Sequence, residues 1–184
     1  MKKFLAILIL VFALQTPSQA DDIRDFQIEG MSLGDSLLDY VNEGEIRIGP
    51  FYPKSKKFIM VKTNLSSEIY DDLQYHTKRN DKKYITYSVE GIISYKNNIK
   101  DCYRKMDEVV NDLTKIFDEV KPSKKRPIKS TYGKATEIRF EFNSGNLITA
   151  TCNDYKKKYE NFRDNLKIEI RSKEFHTWIN TEAF

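Results

Sequence analysis

Between residues 98 and 120 the apolar positions fall three and four apart: Ile99, Cys102, Tyr103, Met106, Val109, Val110, Leu113, Ile116, Phe117 and Val120. That spacing places them on one side of an α-helix, with polar residues at the other positions, and predicts a long amphipathic helix lying on something apolar. Val120-Lys121-Pro122 is its expected end, because proline disfavours helical backbone at the residue before it. Elsewhere the period drops to two, and residues 57–64, 72–78, 84–95, 135–142, 147–152 and 165–171 read as strands. Alternation gives the last five strands their apolar faces: Leu73, Tyr75 and Thr77; Ile85, Tyr87 and Val89; Thr136, Ile138, Phe140 and Phe142; Ile148, Ala150 and Cys152; Leu166, Ile168 and Ile170. Gly91 marks an expected bulge or bend. Asn143-Ser-Gly-Asn146 is a hairpin turn, and its two strands present their apolar sets together only if the turn contributes an odd residue, which Gly145 in a bulge supplies.

Capping residues mark two further helices. Ser32 opens an N-terminal one with Leu33, Leu37, Leu38 and Val41 as its stripe, and Ser172 opens a C-terminal one with Phe175, Trp178 and Ile179 on its apolar side. Ser66 or Ser67 suits a single turn before Tyr70. Because every alternating strand has one polar face, the pattern predicts an α+β fold: an antiparallel sheet of about six strands, the long helix (about 98–120) packed on one face, and a short helix at each end. No internal repeat is visible in the sequence.

The first twenty residues stand apart. Lys2 and Lys3 precede an apolar run from Phe4 to Leu14, and Ser18-Gln19-Ala20 supplies small residues for cleavage. The expected organisation is a cleaved signal peptide, 1–20, followed by one α+β domain, 21–184, with no transmembrane segment. The formal net charge of +4 falls to +2 once Lys2 and Lys3 are gone, too little to imply nucleic acid or a membrane surface.

Two cysteines exclude a Cys₄ zinc site, and two histidines leave little for a His-rich metal centre or a His-based triad. Cys102 lies on the helix stripe and Cys152 on a strand's apolar face, so a helix packed on that face brings the thiols together, and an oxidising compartment would join them. Two separate buried thiols and a redox-active pair are the alternatives. His76 and His176 read as ordinary surface or boundary residues. Glu137, Arg139 and Glu141 share one strand face, and Lys167, Glu169 and Arg171 share another. Cross-strand ion pairing on a solvated face is the plain reading, and a polar groove for a ligand the alternative. The stretch 121–131 reads as a basic loop, solvated on the plain reading and a docking site on the alternative one. Its Lys121, Lys124, Lys125, Arg126 and Lys129 are candidate contacts for an anionic surface, as is the lysine cluster Tyr155-Lys-Lys-Lys-Tyr159. No motif assigns a catalytic residue, a metal ligand or a cofactor.

The stretch Phe26-Gln-Ile-Glu-Gly-Met-Ser-Leu-Gly-Asp-Ser-Leu-Leu-Asp-Tyr40 resembles the opening of an uncharacterised family of small secreted proteins from AT-rich marine alphaproteobacteria. The similarity runs on through Asn80-Asp-Lys-Lys-Tyr84 to Lys173-Glu-Phe-His-Thr-Trp178. It implies a secreted fold and carries no site residue. Gly30-Met31-Ser32 is similar to the helix-opening turn of small outer-membrane-assembly lipoproteins, whose lipidated cysteine this chain lacks. The expected protein is secreted, in the periplasm or else extracellular. It serves as a non-enzymatic binding or envelope-interaction module, with an envelope component or anionic surface as partner and no nucleic acid. A small secreted hydrolase of unrecognised type is the alternative.

Overall fold

The computed structural model describes Ile23 and residues 26–95, 98–157 and 162–184. The expected signal peptide, 1–20, and Lys158 and Tyr159 of the lysine cluster lie outside the described residues. Eight strands form one sheet in the order β1-β2-β3-β4-β8-β7-β6-β5, and every neighbouring pair is antiparallel. They are β1 (Arg47–Ile48), β2 (Phe58–Lys62), β3 (Asp72–Lys78), β4 (Ser88–Tyr95), β5 (Arg126–Lys129), β6 (Gly133–Glu141), β7 (Leu147–Tyr155) and β8 (Asp164–Arg171). Two four-stranded meanders therefore meet edge to edge along β4 and β8.

The sheet has eight strands rather than about six because of its two margins. β1 has two residues, too few to show a period, and β5 is Arg-Pro-Ile-Lys, inside the stretch expected to be a basic loop. Proline is tolerated there because β5 pairs on one side only. The turn between β6 and β7 does contain an odd number of residues: Phe140 pairs with Ile148, Gly145 has φ +80°, and its N–H donates to the Phe142 carbonyl.

Helix α1 spans Ile99–Ile116, and the Asn98 side chain accepts from the Asp101 N–H at its start. It ends earlier than the sequence pattern implied. Phe117 leaves helical backbone (φ −114°, ψ 68°), and its ring meets Phe26 and Phe142 edge-on at 6.0 and 5.0 Å. The expected N-terminal helix is replaced by 3-10 turns at Leu37–Asp39 and Glu43–Glu45. Gly34, at φ +90°, breaks helical continuity after Ser32, and Ser36 becomes the cap instead.

Face one of the sheet carries the core. Val61, Tyr75, Val89, Ile170, Ile168, Ile148, Ala150, Ile138 and Phe140 are buried there, with Cys102, Met106 and Leu113 of α1 and Ile23, Ile28, Met31 and Leu37 of the N-terminal arm. Cys102 and Cys152 are at disulfide distance, with Cα atoms 6.0 Å apart, so α1 is fastened to β7. Gly91 is not a bulge: it pairs regularly with Leu73 and Ile168, and the Tyr70 ring occupies the space a Cβ would need.

On the other face, helix α2 (Lys173–Thr181) starts where the Ser172 hydroxyl accepts from the Phe175 N–H. Its Phe175 and Trp178 form a second small core with Phe58, joined by Tyr87. Tyr87 and Val89 thus do not share a face, as alternation implied. Ser88 pairs with His76, yet the Tyr87 N–H also bonds the His76 carbonyl (2.8 Å), and two residues opposing one redirect the side chain.

Candidate functional site

Strand register builds a polar floor on face two, row by row. One row runs Arg139, Thr149, Glu169, Glu90 and Gln74 across β6, β7, β8, β4 and β3. The next runs Arg126, Glu137, Thr151, Lys167 and Ile92 across β5, β6, β7, β8 and β4. A third holds Ala135, Asn153 and Asn165, where the Asn153 amide donates to Asn165 Oδ1 (2.8 Å). Apart from Thr149 and Glu169, which lie beneath the surface, the residues of these rows line an open groove of about 780 Å³. Ile179, Asn180 and Phe184 of the C-terminal segment close one side. At another end the Phe162 ring lies 5.3 Å from Tyr132 and 5.0 Å from Tyr155, with the ring planes tilted by 30° and 32°.

The charges on the floor are interlocked. Glu137 accepts from Arg126 (2.8 Å) and Arg139 (2.5 Å). Glu169 accepts from the Ser88 hydroxyl (2.9 Å) and from Arg171, and Lys167 stands 3.1 Å away. Lys167 also reaches Glu90 at 3.2 Å. His76, beside Glu90, has its Nε2 2.6 Å from the Tyr52 hydroxyl and its Nδ1 3.5 Å from Glu90, too far for a good hydrogen bond.

Burial pushes the Glu90 carboxyl up to about 7, against the pull of Lys167. Glu169 is its direct cross-strand neighbour and goes the other way: burial works against its charge, but Arg171 and Lys167 hold it below the usual carboxylate range. Burial pulls His76 down to about 3 and raises the Tyr52 hydroxyl. Two adjacent carboxyls thus differ: one takes a proton near neutrality and the other stays ionised.

The structure corrects the expectation for His76, which at 2% exposure is no surface residue, because α2 and Tyr52 cover that part of the strand face. It also shows that face two is not simply solvated: Glu90, Glu137, Glu169 and Arg171 are buried. The five basic positions do not form one patch. Arg126 turns into the groove to Glu137, and Lys125 pairs with Asp107 (2.8 Å) on α1. Lys121, Lys124 and Lys129 are exposed, but Lys129 has the opposite strand parity to Arg126. Glu90, Thr151, Tyr52 and the ring set at Tyr132 escaped the sequence reading. Glu90 was legible only as a polar position in an apolar strand, and its partners come from β8, more than seventy positions away. Among the described residues no group of three or more His, Cys, Asp or Glu could hold a metal ion. No family model matches the chain, and no curated protein and no solved structure matches it.

Proposed function

We propose that this chain is an exported, non-enzymatic binding module that takes a small polar ligand in the face-two groove. The carrying observation is the groove itself. It has about 780 Å³ of space over a floor where polar side chains of β4, β6, β7 and β8 converge, within the size range of small-molecule sites. Export is supported by the signal-peptide pattern of residues 1–20 and by Cys102 and Cys152 at disulfide distance, a pairing that suits an oxidising compartment. No helix among the described residues is long and apolar enough to cross a membrane.

The contrast between Glu90 and Glu169 favours hydrolysis as a second reading, since two-carboxylate chemistry uses one protonated and one ionised group. Access favours binding. Glu90 lines the groove, whereas Glu169, 1% exposed, does not and lies against Lys167 and Arg171. The test is equilibrium dialysis of the full chain against a low-mass extract of the producing cell's envelope, read by native mass spectrometry. The native chain should retain a small molecule unchanged, and Ala135→Trp, which fills the groove from β6, should lose it. Equal retention by both chains, or none by either, defeats the groove reading, and conversion of the molecule favours the hydrolase.

A further inference from the structure

We propose that the floor of the groove is an oxyanion site, in which Thr151, Lys167 and Arg171 receive a carboxylate or phosphate group of the ligand. This rests on the groove being a binding site and names the chemistry it selects. Three observations carry it. First, cations outnumber anions: Arg126, Arg139, Lys167 and Arg171 share Glu137 and Glu169, and among the described residues the remaining carboxyl, Glu90, pairs with Lys167 and stands 3.5 Å from His76. A ligand oxyanion brings the charge that balances this surplus.

Second, two groove-lining side chains have polar atoms without a hydrogen-bond partner among the described residues: Arg171 Nε and Thr151 Oγ1. Arg171 is 9% exposed and Thr151 6% exposed, so these are buried donors of a kind that folded proteins normally satisfy. Third, the donors converge. Lys167 Nζ and Arg171 Nη2 both reach Glu169 Oε2, which brings their charged ends over one atom. Thr151 is directly opposite Lys167 in register, which puts their Cβ atoms roughly 5 Å apart on the same face. Lys167 has three N–H donors and two carboxylate partners among the described residues, leaving one for a third acceptor. Charge-assisted bonds from lysine and arginine are the usual means of holding carboxylate and phosphate.

The test titrates the full chain with inorganic phosphate, with acetate and with uncharged glycerol, at constant ionic strength set by chloride. Binding is read from the backbone amide resonances of Thr151 and Lys167. Phosphate or acetate should shift them saturably and glycerol should not; a response to phosphate alone identifies a phosphoryl group, and to acetate alone a carboxylate. Thr151→Val removes only an unpartnered hydroxyl, so it should fold normally and weaken anion binding about twofold to tenfold. Ala135→Trp should abolish it. Anion binding unchanged in both variants means surface association only and overturns the proposal. No response to either anion, while the native chain still retains an extract molecule that Ala135→Trp loses, overturns the oxyanion assignment and leaves the groove reading standing. Loss of both signals removes the two together.

Discussion

Glu90 and His76 sit 3.5 Å apart at the edge of the groove floor, and burial moves them in opposite directions. Glu90 rises from 4.5 to about 7 on folding, so it contributes stability that is complete below pH 4.5 and is lost as pH rises through 7. His76 falls from 6.5 to about 3, so its contribution is complete above pH 6.5 and is lost as pH falls through 3. The two partly cancel between pH 4.5 and 6.5 in the native chain. Glu169, Lys167, Arg171 and Tyr52 also face this pair and should stay in one ionisation state through that window. Urea unfolding, followed by fluorescence of the single tryptophan, Trp178, separates the contributions. Relative to the native chain, Glu90→Gln should gain stability steadily from pH 4.5 to 7. His76→Gln should gain as pH falls below 6.5. A pH-independent difference in either case contradicts the burial-driven shift.

At the scale of elements, two contacts hold the layers in register. The Cys102–Cys152 pair fastens α1 to β7 across a separation of 50 residues, so reduction, or replacement of both by Ala, should cost on the order of 2–4 kcal/mol in urea unfolding. Thiol titration of unreduced, denatured protein should find no free thiol; two titratable thiols would refute the bridge. Gly91 is the second contact. A Cβ there runs into the Tyr70 ring, so Gly91→Ala should destabilise β4 by about 1–3 kcal/mol. Gly91→Ala combined with Tyr70→Ala should cost less than the two single changes added together. Strict additivity would mean that Tyr70 is not what excludes the side chain.

At the scale of the whole molecule, β4 and β8 join two meanders into one continuous sheet, with the apolar core on one face and the polar groove on the other. That pairing connects positions such as Val89 and Ile170, and its long loop closure predicts refolding in milliseconds to seconds rather than microseconds. The proposed export is tested on the same scale. Protein recovered from an export-competent host should begin at Asp21, as N-terminal sequencing would show, and an intact Met1 in the processed fraction would count against a cleaved leader.

Period and punctuation alone determined the long helix, the apolar face of most strands, the hairpin turn at Gly145 and the layer in which Cys102 and Cys152 meet. Each depends on neighbours within a few residues, or on a face that the repeat itself defines. The edge strands were not legible, because two residues at β1 and a proline-bearing tetrapeptide at β5 carry no period. Of the groove and the charges beneath it, Glu137, Arg139, Lys167, Glu169 and Arg171 could be seen as charged strand faces, without a way to tell an exposed face from a buried one. Only the tertiary structure decided that, by pairing β4 with β8 and laying α2 and Tyr52 beside them. The physical reason is that alternation specifies which side of a strand a residue takes, whereas burial, charge pairing and pKa depend on what lies across the ladder, and those partners come from distant parts of the chain.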